Sequence, residues 1–412
     1  MFKRLLSVFL CVCAVVSVCT AMPASAQEAC GFSQNDMLTT KGRRIVNQSG
    51  KKVTLKGVNL GSWLVQESWM SPVESSEDNL TTFKVLTQRF GADGAYALIN
   101  GYQDNWITEE DFDTIARLGY NCVRVPFWYR NFYSDEQGTK ILDENGEWDF
   151  SRLDWIVSEC SQRRIYVILD LHGAQGSQNA AQHSGTSGVY ELYSDSAYGE
   201  LCRKLTAELW RYVAKRYKGN PAVAMFDLLN EPLGDVDGLS DEQKDKYIAD
   251  MYAYLYDAVR EEDSDRIITM CGIWRINNLP LPSKMGWENV IYQLHLYDSA
   301  NIKYFFIALA TRLHPSAVPV LIGEFKPMGD ATWNSVLGIF NFFGFSWTTW
   351  SYKGSGNGAD KSDWFVYGSS GIEKADVKND SYEEIQRKWG EALRTDKSFS
   401  YTGLCDTVRK YF

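Results

Sequence analysis

Two glutamates stand out because each closes a run of apolar residues. Glu231 follows Met225-Phe226-Asp227-Leu228-Leu229-Asn230, and Glu324 follows Val320-Leu321-Ile322-Gly323. A carboxylate at the end of a buried strand is costly unless it is paired or reactive. For either glutamate alone, a buried salt bridge to Arg124 or to a lysine is an equal reading. For the pair, cleavage of a glycosidic bond is the better one. That reaction needs one carboxyl group to protonate the leaving oxygen and a second to attack the anomeric carbon or to activate water. Opposite strands of a narrow barrel can hold the two roughly 5 Å apart, the spacing of the retaining route.

Other polar residues fall where they can assist. Asn230 can hydrogen-bond the sugar hydroxyl next to the anomeric carbon, or serve as a turn residue. Arg124, within Val123-Arg124-Val125-Pro126, is an improbable strand residue unless its fork meets a carboxylate, and Glu324 is the expected partner. Tyr297 can donate to the same carboxylate, or sit as an amphipathic tyrosine at a core edge. His172 and His295 fill polar slots after apolar strands and line the site more plausibly than they bind metal. Trp350 suits a stacking platform beneath a sugar, with core packing as its alternative. The four histidines are scattered and no Cys-x-x-Cys spacing suggests zinc, so no metal and no cofactor are expected.

These side chains need a scaffold. Short apolar runs at Val53–Gly61, Cys122–Phe127, Tyr166–Gly173, Val223–Pro232, Arg266–Trp274, Val290–Tyr297, Pro319–Phe325 and Gly344–Lys353 read as eight strands. Helix-like patterns at Glu109–Leu118, Leu153–Arg163, Leu201–Tyr217, Lys244–Arg260 and Trp333–Phe342 lie between them, and Tyr382–Leu393 follows the last. Continuously apolar strands imply a parallel sheet covered on its outer face. Eight such units make an α/β fold, a single (β/α)8 TIM barrel with extended βα loops. Arg124, His172, Asn230, Glu231, His295, Tyr297, Glu324 and Trp350 then share the C-terminal rim, where barrels of this kind build active sites. Residues 352–380 read as a long loop near that rim.

Six segments in order, over roughly residues 40–395, carry a resemblance to a known family. They are Gly57-Val58-Asn59-Leu60-Gly61-Ser62-Trp63-Leu64-Val65, Asn121-Cys122-Val123-Arg124-Val125-Pro126, Asp170-Leu171-His172-Gly173-Ala174-Gln175-Gly176-Ser177-Gln178-Asn179, Leu229-Asn230-Glu231-Pro232-Leu233-Gly234, His295-Leu296-Tyr297 and Gly323-Glu324-Phe325. Together they resemble glycoside hydrolase family 5, the cellulase family, and most nearly its exo-β-1,3-glucanase branch. The resemblance implies a retaining mechanism with Glu231 as acid/base and Glu324 as nucleophile. It also implies supporting roles for Arg124, His172, Asn230, His295, Tyr297 and Trp350. Glu67, in Val65-Gln66-Glu67-Ser68-Trp69, matches the branch's ligand for the non-reducing-end glucose. Lys353, after Trp347-Thr348-Thr349-Trp350-Ser351-Tyr352, matches a lysine expected to reach a sugar hydroxyl, a surface salt bridge being the alternative. An endo-β-1,4-glucanase on the same barrel and a non-catalytic glycan-binding barrel are the rival readings.

Composition agrees with this class. The 412 residues are 45% hydrophobic and 23% charged, which excludes disorder, and 14 Trp, 23 Tyr and 20 Phe offer flat faces to sugar rings. The net charge of −10 disfavours nucleic acid and anionic membranes and favours a neutral partner, a β-glucan or gluco-oligosaccharide substrate. Lys3 and Arg4, the apolar run Leu5–Cys19 and Ala24-Ser25-Ala26 read as a secretory signal peptide over residues 1–26. Residues 27–412 then form one secreted, monomeric catalytic domain with no membrane anchor. Its six cysteines, Cys30, Cys122, Cys160, Cys202, Cys271 and Cys405, could pair in an oxidising compartment, although Cys122 suits a buried free thiol equally well.

Overall fold

The computed structural model describes residues 31–355, 364–368 and 372–412. The expected signal peptide, Cys30 and parts of the 352–380 segment lie outside them. Eight parallel strands close on themselves: β1 (Lys56–Asn59), β2 (Cys122–Trp128), β3 (Tyr166–Gly173), β4 (Val223–Asp227), β5 (Ile267–Cys271), β6 (Val290–Leu296), β7 (Val320–Phe325) and β8 (Ser346–Thr349). Each pairs with its neighbours in sequence, and β8 pairs with β1 through Trp347–Lys56, Thr348–Gly57 and Thr349–Val58. The expected barrel is therefore present. Several strands are shorter than their apolar runs. The chain leaves β4 at Asp227, and residues 228–232 wind over the rim.

Helices pack outside the barrel: α1 (Asn79–Trp106), α2 (Glu109–Leu118), α3 (Ser151–Gln162), α4 (Ala197–Tyr217), α5 (Asp241–Glu262), α6 (Pro282–Met285), α7 (Asn301–Leu313) and α8 (Trp333–Phe343). The sequence patterns locate α2 to α5 and α8 but not α1 or α7. Helix α1 is kinked at Gly91, whose φ of 76° lies in the left-handed region. Helix α7 leaves Ile302, Phe306 and Leu313 exposed, so its apolar residues do not trace one buried stripe.

Period-two alternation stacks the barrel interior in layers. At the base, Cys122, Ile168, Met225, Ile267, Ile291 and Leu321 pack with Leu38 and Ile45 of an N-terminal hairpin. Two residues higher the inward side chains turn polar: Arg124, Asp170, Asp227, Thr269, Gln293 and Thr348 are all fully buried. Gly323 has no side chain because a Cβ there would collide with Gln293, whose Nε2 donates to Asp227 at 2.8 Å. Two residues higher again lies the rim. No helix among the described residues is long and apolar enough to cross a membrane. The five described cysteines are unpaired and buried.

Candidate active site

The polar layer exists to hold one guanidinium. Arg124 is fully buried on β2. Its Nε donates to Asp227 at 2.8 Å, its Nη1 to Asn59 Oδ1 at 3.0 Å and to Glu324 Oε1 at 2.8 Å, and its Nη2 to Asn230 Oδ1 at 2.9 Å. Nη2 also lies 3.0 Å from Asp170. Burial opposes the charge, but Asp170, Asp227 and Glu324 more than offset it and hold Arg124 firmly protonated. Burial likewise pushes Asp170 and Asp227 above the usual carboxylate range, against the pull of Arg124.

Glu324 is gripped from both sides, since Tyr297 Oη donates to its Oε2 at 2.7 Å. Glu231 faces it from the β4 loop. One carboxylate oxygen of each, with a ring nitrogen of His295, lie within 4.8 Å of one another. His295 Nδ1 is 2.6 Å from Glu231 Oε1, and His183 Nε2 is 3.4 Å from Glu231 Oε2. Burial raises Glu231 above its ordinary value despite His183 and Arg124, and it pushes His295 down to about 4. The trio is close enough to hold a cation, but Arg124 bonded to Glu324 opposes a second positive charge there.

Local backbone explains how Glu231 reaches this position. Its φ of 42° is left-handed, a strained choice for a residue with a side chain. The β3 loop holds it: Gln178 Nε2 donates to the carbonyls of His172 and Asn230, and Asn179 Nδ2 to that of Glu231 at 3.1 Å. His172 Nδ1 meets Asp170 at 2.7 Å, and its ring stacks on Trp350 at 5.4 Å and 11°. Glu67 is placed by its own backbone, whose N–H donates to Ser62 Oγ and Ser71 Oγ. Trp69 Nε1 donates to Glu67 Oε2 at 2.7 Å. Burial, only partly offset by Trp69, pushes Glu67 up to about 8, with Glu324 and Glu231 adding to the rise.

Eight of the ten residues named from sequence thus gather at the rim, and Arg124 lies one layer beneath them. A cavity of about 360 Å³ opens between Glu67, His172, Asn230, Glu231, Tyr297, Glu324 and Trp350. Lys353 is the correction. It lies on a separate short strand beyond β8 and points away from this cavity. Its Nζ donates to the carbonyls of Trp106 and Leu393 at 2.6 and 2.7 Å and to Thr395 Oγ1 at 3.0 Å, beneath the Phe399 ring at 4.0 Å. It is fully buried, so it reaches neither a sugar hydroxyl nor a surface carboxylate, and burial lowers it to about 8.

Sequence reasoning missed Asp170 and Asp227, although their period-two spacing with His172 and with the inward face of β4 was a usable sign. It also missed His183, Trp69 and the half-exposed Trp274, which line the same cavity. Trp69 and Trp274 sit in loops and His183 in a single 3-10 turn, Gln182–Ser184, where no periodicity points to them.

The family model for cellulases (glycosyl hydrolase family 5) matches residues 88–356. A β-xylosidase from Phanerodontia chrysosporium is 28% identical over 265 residues, 63% of this chain and 52% of that protein. A glucan 1,3-β-glucosidase from Candida oleophila is 32% identical over 209 residues, 47% and 46% of the two chains. The chain spans about half the length of these relatives. A solved β-glucanase from Saccharophagus degradans superimposes with a TM-score of 0.51 at 18% identity, over 89% of this chain and 98% of that one. That last likeness is one of fold.

Proposed function

The chain belongs to glycosyl hydrolase family 5, and from that premise we propose that it is a retaining glycosidase of β-glucans, an exo-acting β-1,3-glucanase that releases glucose from chain ends. The observation that carries the chemistry is the facing pair of buried carboxyls, Glu231 and Glu324, with oxygens inside 4.8 Å. That spacing suits direct attack rather than an intervening water.

Glu324, bonded to Arg124 and Tyr297, attacks the anomeric carbon. Glu231, whose acid form burial favours, gives its proton to the departing glycosidic oxygen, and the C–O bond breaks with its electrons on that oxygen. Glu231, now a carboxylate, takes a proton from water, which attacks the same carbon and releases Glu324. Asn230 positions the hydroxyl next to the reacting carbon, and Trp350, braced by His172, underlies the ring. The exo reading is supported by Glu67, buried at the cavity wall beside Trp69 and carrying an unpartnered Oε1, where a terminal sugar's hydroxyls need partners. The similarity to the glucan 1,3-β-glucosidase from Candida oleophila favours that linkage. The enzyme is proposed to be exported by its 1–26 leader and to work as a monomer without a metal or organic cofactor.

Product analysis of residues 27–412 tests this. Glucose alone from laminarin-type β-1,3-glucan, abolished in Glu231→Ala and Glu324→Ala, is the expected result. Mixed oligosaccharides from a β-1,4-glucan would replace it with the endoglucanase reading, and binding without product in the wild type would leave a glycan-binding barrel.

A further inference from the structure

A second cavity lies behind the segment that delivers Glu67. It measures about 180 Å³ and shares no lining residue with the catalytic cavity. Trp63, Phe83, Tyr96 and Phe150 supply aromatic surface, and Gln66 and Arg130 supply polar groups. The volume is well above the roughly 30 Å³ that one water occupies and below the ~300 Å³ at which drug-sized sites begin, so it suits a single ring of monosaccharide size.

Its polar groups are unusually short of partners. Arg130 is 6% and Gln66 8% exposed, yet Arg130 Nε and Gln66 Nε2 are buried with no hydrogen-bond partner. The Arg130 guanidinium lies 4.5 Å over the Phe83 ring. Its nearest carboxylate, on Glu136, is 3.7 Å from Nη1 and is shared with Lys84 at 3.3 Å, too long for a hydrogen bond. Trp128 Nε1 and Tyr96 Oη of the same lining are unpartnered as well; all four can donate, only Tyr96 Oη can also accept, and Arg130 is cationic. Buried donors left unpaired are costly, which makes each of them informative.

We propose that this cavity is a second binding site, for a monosaccharide-sized ring bearing a carboxylate, a hexuronate being the simplest such molecule. The carboxylate accepts from Arg130 Nε and Gln66 Nε2, and the ring packs on the aromatic wall. Gln66 adjoins Glu67, and its backbone N–H is fixed to Asn79 Oδ1 at 2.9 Å, so the site abuts the catalytic cavity without opening into it.

The test is calorimetric titration of the purified chain with D-glucuronate, D-glucose and acetate, repeated on Arg130→Met, Gln66→Leu and Trp350→Ala. Glucuronate is expected to bind, with glucose and acetate each weaker by roughly tenfold or more. Arg130→Met and Gln66→Leu should each cost roughly tenfold, the worth of one buried hydrogen bond to a charge, and Trp350→Ala should cost nothing. Glucose binding as tightly as glucuronate, or glucuronate binding unchanged in the Arg130 and Gln66 variants, would overturn the carboxylate assignment. Loss of binding in Trp350→Ala would move the ligand to the catalytic cavity and overturn the site. Absence of heat with every probe would leave the cavity to water and equally overturn it. Should Arg130→Met not fold, Gln66→Leu carries the same comparison.

Discussion

Replacing Glu67 by Gln should stabilise the protein, and by an amount that depends on pH. Burial pushes the folded carboxyl up to about 8 against an unfolded value of 4.5. Between those values the folded chain holds a proton that the unfolded chain has lost, so stability falls as pH rises, by about 1.4 kcal/mol per unit. The neutral carboxyl's contribution is complete below pH 4.5, is down by about 3 kcal/mol at pH 7, and is exhausted near pH 8. Glutamine is neutral throughout and keeps the same shape. Its Oε1 can accept from Trp69 as Glu67 Oε2 does, and its amide N–H takes the place of the unpartnered Oε1. Urea unfolding at a series of pH values would read the difference between variant and wild type directly. The gap should be small at about pH 4.5 and should widen steadily to about 3 kcal/mol at pH 7. Parallel curves across that window would show that Glu67 is ionised in the fold and would refute the argument from burial.

Three further outcomes follow from the same geometry. Tyr297→Phe removes the 2.7 Å bond to Glu324; hydrogen bonds to charge are worth about 1.5–3 kcal/mol, so kcat on β-glucan should fall by roughly ten- to a hundredfold. The pH dependence of kcat/KM should be bell-shaped, with an alkaline limb set by loss of the Glu231 proton, because burial raises that group while His295 is already neutral above about 4; a flat profile from about pH 4 to about pH 9 would contradict the acid/base assignment. Lys353→Met leaves the carbonyls of Trp106 and Leu393 without their donor and should lower stability by about 2 kcal/mol without changing KM; a raised KM at unchanged stability would return the lysine to the catalytic cavity.

The strands were legible because apolar runs ending in Glu231, His295 and Glu324 are both a folding signal and a chemical one. The barrel forces each run inward and leaves its last polar residue at the rim. What escaped was whatever depended on direction after a strand ended. Lys353 follows Trp350 by three residues, yet the chain turns there and its ammonium is drawn under the Trp106 and Phe399 rings. Sequence distance from a rim residue says nothing about which way such a turn goes. Asp170 and Asp227 escaped for the opposite reason. They sit inside apolar runs, where the pattern averages over them, and only the inward facing of alternate residues brings them onto Arg124.

That convergence accounts for more of the site than the catalytic pair does. A guanidinium has five N–H donors in a fixed fork, and here four of them meet acceptors, Asp227 at Nε, Asn59 and Glu324 at Nη1 and Asn230 at Nη2, while Asp170 pairs with Nη2 by charge at 3.0 Å. Because Asn230 gives its oxygen to Arg124, its amide nitrogen must face His172 Nε2, 3.3 Å away. That nitrogen therefore accepts, and the His172 proton resides on Nδ1, toward Asp170 at 2.7 Å. The imidazole is thus held neutral in a single tautomer, in agreement with the strong lowering that burial imposes on it. One buried arginine so sets the orientation of Asn230, the tautomer of His172 and, through the stacked ring, the pose of Trp350. Lysine offers three donors from one point and no fork, and so cannot hold Glu324 and Asn230 in register at once.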